Sequence, residues 1–196
     1  MKLTLLLIIS LAALFTGCKK GKDDPFLSLR SRKARVTGDW TVTSGTSTYV
    51  YSSGNYSRTS TFTYSETSYS YVHNENGIIT TGGGSSKITM KFEKDGKFRS
   101  TNTGDGSTGT SEGTWNFTDG IGDAKKKEQI VVRLSSGSNT GSTINTSYTY
   151  TGNETDITMN LKELRNKKMV IIMESGYTSS SGTKDIKTDE YTLEQK

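Results

Sequence analysis

Beyond Gly38 the chain alternates apolar and polar residues with a period of two. Ile88, Met90 and Phe92 share one parity and Thr89, Lys91 and Glu93 the other, and the pattern returns in Trp115 with Phe117, Ile157 with Met159 and Leu161, and Tyr191 with Leu193. Alternation of this kind sends successive side chains to opposite faces of a strand, so it predicts antiparallel sheet with one packed face and one wet face. The candidate strands are residues 40–51, 61–72, 87–93, 97–102, 113–118, 129–135, 146–151, 156–163, 168–175 and 186–194, separated by turns rich in Gly, Asn and Ser. Asp95-Gly96 predicts a hairpin with a type I′ turn, and Arg165-Asn166-Lys167 should turn the strand of Leu161 back onto Met169 to Met173. Residues 77–86 and 103–113 read as loops, and the Ser, Thr and Tyr alternation of residues 43–71 reads as edge strands or long loops. The only proline is Pro25. Strands therefore run uninterrupted, and about 8–10 of them at this spacing predict an all-β, antiparallel up-and-down barrel.

The N-terminus follows another rule. Lys2 precedes an apolar run from Leu3 to Phe15, then Thr16-Gly17 and Cys18, the only cysteine. A basic start, about a dozen apolar residues and small residues before a cut are the anatomy of a secretory signal peptide. The run is too short to span a membrane, which takes roughly 20 apolar residues. Leu14-Phe15-Thr16-Gly17-Cys18 resembles the lipobox of bacterial lipoproteins, which implies a signal peptide over residues 1–17 and acyl chains such as palmitate on Cys18. Residues 18–37 then form a linker and a short helical turn, and residues 38–196 form the barrel domain. Asp24-Pro25 can start that turn, since Asp caps a helix and Pro is tolerated at its first position. Phe26, Leu29, Lys33 and Val36 would give it one apolar edge on an otherwise basic surface.

Composition narrows the class. Only about a quarter of the residues after Cys18 are apolar, well below the usual share of ~45–50%. The core must be thin and aromatic. The formal charge of +5 arises almost wholly before Val36, after which seventeen basic residues face eighteen acidic ones. A nucleic-acid surface needs its basic residues on the folded body. Here they lie in the tether, where anionic headgroups are the simpler partner.

Candidate chemistry is sparse. His73 is the only histidine, a lone residue that more often packs than catalyses. With no second His and no free thiol, a zinc site would have to be built from carboxylates, which zinc seldom accepts. Glu154 with Asp156, or Asp119 with Asp123, could pair as glycosidase acids, although their turn-like context favours solubilising charges. Gly82 to Gly84 lacks the Lys-Ser/Thr that completes a phosphate loop. The sequence thus predicts no enzyme, no metal and no cofactor. Tyr49, Tyr51, Tyr64, Tyr69, Tyr71, Tyr148 and Tyr150 are the remaining signal. They could line a pocket or a sugar-stacking face, or simply form cross-strand pairs.

Gly38-Asp39-Trp40, echoed by Gly113-Thr114-Trp115, opens the first strand after a helical turn and resembles the glycine-x-tryptophan start of the lipocalin fold. With DPFLSLRSRKARVTGDW, FEKDGKF, GTWNF and ITMNLKELRNKKMVIIM, the chain is similar to lipocalin-like lipoproteins of the Bacteroidetes type. Lys22-Asp23-Asp24 resembles the acidic export signal of that group. The resemblance implies a lipocalin-like barrel anchored in the outer membrane, on its periplasmic face or the cell surface. Gly38, Trp40, Gly113 and Trp115 would be structural anchors, and a small apolar or amphipathic ligand would meet Tyr64, Tyr71 and Met90. The alternative is a barrel filled with its own side chains that contacts an envelope protein or glycan. A membrane-spanning barrel is the weakest option, because residues 43–71 carry Ser and Thr where lipid would demand Leu or Val.

Overall fold

The computed structural model describes residues 30–118, 128–141, 145–150 and 156–195. The signal segment, Cys18, the Asp24-Pro25 start of the helical turn with Phe26 and Leu29, and the carboxylates Asp119, Asp123 and Glu154 lie outside them.

Ser31 starts the one described helix, α1 (Arg32–Val36), by accepting the Ala34 N–H on its hydroxyl at 3.1 Å. The chain leaves it through Thr37, whose N–H and hydroxyl both donate to the Lys33 carbonyl. Of the expected edge, Val36 is buried as expected and Lys33 is not. Arg35 and Val36 are enclosed, with the Arg35 guanidinium donating to the Leu164 carbonyl. Lys33 lies outside and holds its ammonium 5.7 Å from the centre of the Trp115 ring. So short a helix, pressed against the end of a barrel, turns its last two residues inward.

Twelve strands follow: β1 (Gly38–Ser53), β2 (Tyr56–Ser65), β3 (Ser68–Glu75), β4 (Ile78–Ser85), β5 (Lys87–Phe92), β6 (Lys97–Gly104), β7 (Ser107–Phe117), β8 (Gln129–Gly141), β9 (Asn145–Thr149), β10 (Asp156–Leu164), β11 (Lys168–Thr178) and β12 (Lys184–Glu194). Every pairing is antiparallel. Eight of them, β1, β5, β6, β7, β8, β10, β11 and β12, close into a barrel through β12 against β1. This is the all-β up-and-down barrel that the alternation predicts, in a form consistent with a lipocalin-like barrel.

The other four strands raise the wall at the end away from α1. β1 pairs with β5 only over Gly38–Thr41, and from Ser44 to Ser53 the same edge pairs with β2. β4 and β5 run in one direction with only Ser86 between them, and β9 and β10 both lie along β8. The β2–β3 hairpin is thus wedged into the split between β1 and the bent β4–β5 strand.

Three expectations change here. Residues 61–72 are not one strand but two, because Ser65 folds the chain through Glu66-Thr67 by accepting the Ser68 N–H on its hydroxyl. Of residues 77–86, Ile78–Ser85 are strand β4, and residues 103–113 are the tip of β6, a two-residue turn and most of β7. Their Ser, Thr and Gly content hides a regular ladder. Turns with positive φ at both central residues sit at Asn76-Gly77, with φ of 50° and 89°, and at Asp105-Gly106, with φ of 49° and 75°. Asp95 has no positive φ, so Lys94-Asp95-Gly96 instead forms a three-residue loop with Gly96 at φ 94°. The turn at residues 165–167 is as expected, with the Arg165 N–H donating to the Lys168 carbonyl.

Side chains fill the half of the barrel next to α1. Trp40, Trp115, Phe92, Ile130, Met159, Leu164, Ile171 and Leu193 are each at most 2% exposed. The Trp115 ring meets Phe92 edge to face at 5.5 Å and Phe117 at 5.8 Å. Both indole N–H groups donate to backbone, Trp40 to Val36 at 2.7 Å and Trp115 to Glu93 at 2.9 Å. The paired glycines have separate reasons. Gly38 stands at φ 143°, closed to most side chains. At Gly113 a Cβ would collide with the Arg133 carbonyl, next to the register shift where β8 gains one residue on β7.

Candidate binding site in the upper barrel

The inward face changes chemistry above Val42. Following the inward face up β1, where the register shift between Val42 and Ser44 switches its parity, and up β2 and β12 gives Ser47, Ser60 and Asp189, all buried. Asp189 pairs with Lys187 at 2.9 Å and accepts the Tyr191 hydroxyl at 3.4 Å. Burial, reinforced by Asp189, pushes the Tyr191 hydroxyl well above the usual tyrosine range. Tyr191 and Tyr64 meet edge to face at 5.7 Å. This pair separates the dry core from the space above it.

Above lies a half-open chamber of about 290 Å³. Phe62 and Tyr64 of β2 and Tyr69 of β3 form one wall. Their rings lie at shallow angles, with Phe62 and Tyr64 at 6.5 Å and 21°, and Tyr64 and Tyr69 at 6.3 Å and 34°. The opposite wall presents Ser85, Ser86, Asn102, Asp105, Ser107 and Asn139, with Gly104 and Gly109 leaving room between them. Asp105 is fixed before any ligand arrives. One carboxylate oxygen accepts the Ser85 N–H at 2.9 Å and its hydroxyl at 3.0 Å, and the other accepts the Tyr69 hydroxyl at 3.2 Å. The Ser85 bonds hold the Asp105 carboxyl below the usual carboxylate range, and Asp105 in turn raises Tyr69. Ser86, only 5% exposed, donates to the Asn102 side-chain oxygen at 3.0 Å.

Glycines make space for the rings. A Cβ at Gly82 would run into Tyr71, one at Gly137 into Tyr148 and one at Gly45 into Tyr191. In each pair the two residues stand opposite in register. The ring lies over a backbone that has no side chain, a known way of stabilising strand glycines.

The expected site residues divide. Tyr64 lines the chamber. Tyr71 belongs to the same aromatic row, 6.4 Å from Tyr69, but is not on the chamber lining. Met90 is a correction, for it stands opposite Trp40 in the filled core and is 6% exposed. His73 packs 4.5 Å from Tyr71 and 5.5 Å from Phe62, higher up the same row. Asp156 is taken up by a two-bond ion pair with Arg133 at 2.8 Å. No family model, no curated protein and no solved structure matches the chain. Asp105, Asn102 and Asn139 were not expected, although Asp105-Gly106 carries the same dipeptide signal as Asp95-Gly96.

Proposed function

We propose that the chain is a non-enzymatic binding lipoprotein of the lipocalin-like type, held at the outer membrane through Cys18, with a small amphipathic ligand in the upper chamber. The observation that carries this reading is the two-sided lining, aromatic on one wall and hydroxyl, amide and carboxylate on the other. Its volume of about 290 Å³ is at the lower bound of ~300 Å³ for small-molecule pockets. The filled lower half favours a second reading, a structural lipoprotein that meets an envelope protein or glycan from outside. The two separate on one experiment. Native mass spectrometry of the full chain purified from its own envelope should show a retained ligand, and Tyr64→Ala should lose it with an unchanged circular dichroism spectrum. An empty wild-type protein that binds no small molecule would favour the second reading.

The anchor has its own test. Two or more acyl chains at about 0.8 kcal/mol per buried methylene would make attachment effectively permanent. Mass spectrometry of the native N-terminal peptide should find Cys18 acylated, and Cys18→Ala should accumulate uncleaved precursor. An unmodified thiol refutes the anchor.

The absence of a catalytic role is tested at His73. General acid–base chemistry near neutral pH wants a group poised there, and this histidine is set among aromatic rings outside the chamber lining. His73→Ala is expected to leave ligand retention unchanged, as read by the same mass spectrometry. A turnover abolished by that substitution would make the protein an enzyme.

A further inference from the structure

We infer that the chamber takes a single neutral pyranose, the terminal sugar of a glycan, rather than an acyl chain. This rests on the chamber being the binding site and adds the class of ligand.

A pyranose has one face of C–H bonds and a rim of hydroxyls, and so needs a flat apolar platform beside clustered hydrogen-bonding groups. The chamber supplies both. Phe62, Tyr64 and Tyr69 form the platform, their rings within 6.5 Å of one another. Facing it, the Asp105 oxygen that accepts from Tyr69 keeps a lone pair for a sugar hydroxyl. The Tyr69 oxygen, having donated its proton, is an acceptor as well. Asn102 uses its oxygen toward Ser86, so the group it can offer on the chamber wall is its amide N–H₂. Tyr69 joins the two walls, stacking with one surface and bonding through its hydroxyl to the other.

An acyl chain fits poorly. It would strip water from Asp105, Asn102, Ser107 and Asn139 without replacing a hydrogen bond, and buried polar groups left so are costly. It would also need length, and the Tyr64–Tyr191 pair with the packed core beneath closes the way down the barrel. The ordered carboxylate adds a selection of its own. A uronic acid would set its negative charge against Asp105, so neutral hexoses, deoxyhexoses and N-acetylhexosamines are the expected ligands.

The test is a glycan array carrying terminal hexoses, deoxyhexoses, N-acetylhexosamines and uronic acids, probed with the full chain in detergent. Titration of the best methyl pyranoside and of dodecanoate, each by calorimetry, completes it. Saturable binding to a neutral terminal pyranose is expected, with uronic acids weakest and dodecanoate not competing. Tyr69→Ala should weaken the pyranoside at least tenfold and Tyr69→Phe only a few fold, since the second keeps the platform. Asp105→Asn should also cost about tenfold, because Asn tolerates the positive φ of 49° but removes the charge and turns one accepting oxygen into an N–H₂ donor. Dodecanoate bound with loss in Tyr69→Ala and no pyranoside bound would overturn the sugar and leave the chamber reading standing. Binding of neither would overturn both.

Discussion

Trp40→Ala is expected to cost about 3–5 kcal/mol of stability, the range for removing a large buried aromatic. The indole is 1% exposed, and its N–H ties the end of α1 to the barrel through the Val36 carbonyl. It also sits where β1 is held on both edges, opposite Met90 on β5 and one residue before the β12 pairing begins at Thr41. Truncation therefore opens a cavity at the point of closure and leaves the Val36 carbonyl without its donor. Urea unfolding followed by tyrosine fluorescence gives the number. A loss under about 1 kcal/mol, well short of the usual cost of an emptied aromatic site, would show that α1 and Trp40 do not close the barrel.

A loss of similar size, again about 3–5 kcal/mol, is expected for Trp115→Ala, for a different reason. This ring is the hub of an aromatic set with Phe92 and Phe117, and Lys33 covers it from α1. Part of its contribution is directional, because edge-to-face pairs add about 0.5–1.5 kcal/mol beyond the area they bury. Trp115→Phe should therefore recover a good part of the loss, because the Glu93 carbonyl keeps the Gly96 N–H when the indole N–H goes, whereas Trp40→Phe should recover less, since it removes the buried bond to the Val36 carbonyl. The same unfolding series on the four variants checks the contrast. Equal recovery at the two sites would mean that the N–H of Trp40 contributes little.

The sequence spoke clearly where aliphatic and aromatic residues alternate with charged ones. Ile88, Met90 and Phe92 against Lys91 and Glu93 leave no choice of face, and the filled half of the barrel is built from such strands. It was silent where both faces are polar. Along β3 and β4 the inward series Tyr69, Tyr71, His73 and Gly84, Gly82, Thr80 alternates with Ser, Thr, Gly, Val and Ile. Hydrophobicity does not separate these sets, so the pattern predicts one strand where β2 and β3 stand and a loop where β4 runs. The chamber was hidden for the same reason. Its aromatic wall was visible as a surplus of tyrosine, but its polar wall is made of Asn, Ser and Asp that resemble turn residues until a register places them inward.

The β2–β3 hairpin lies outside the ring of eight strands that closes the barrel, because β1 to β5 and β1 to β12 are joined below it. The aromatic wall of the chamber is thus carried largely by a hairpin that barrel closure does not use, whereas the polar wall, with Asn102, Asp105 and Asn139, stands on β6, β8 and the turn after β6. Relatives of this chain can exchange the hairpin's side chains, or its length, and keep the same foundation. Substitution there should reshape the aromatic wall while the tryptophan base, built from other strands, stays as it is.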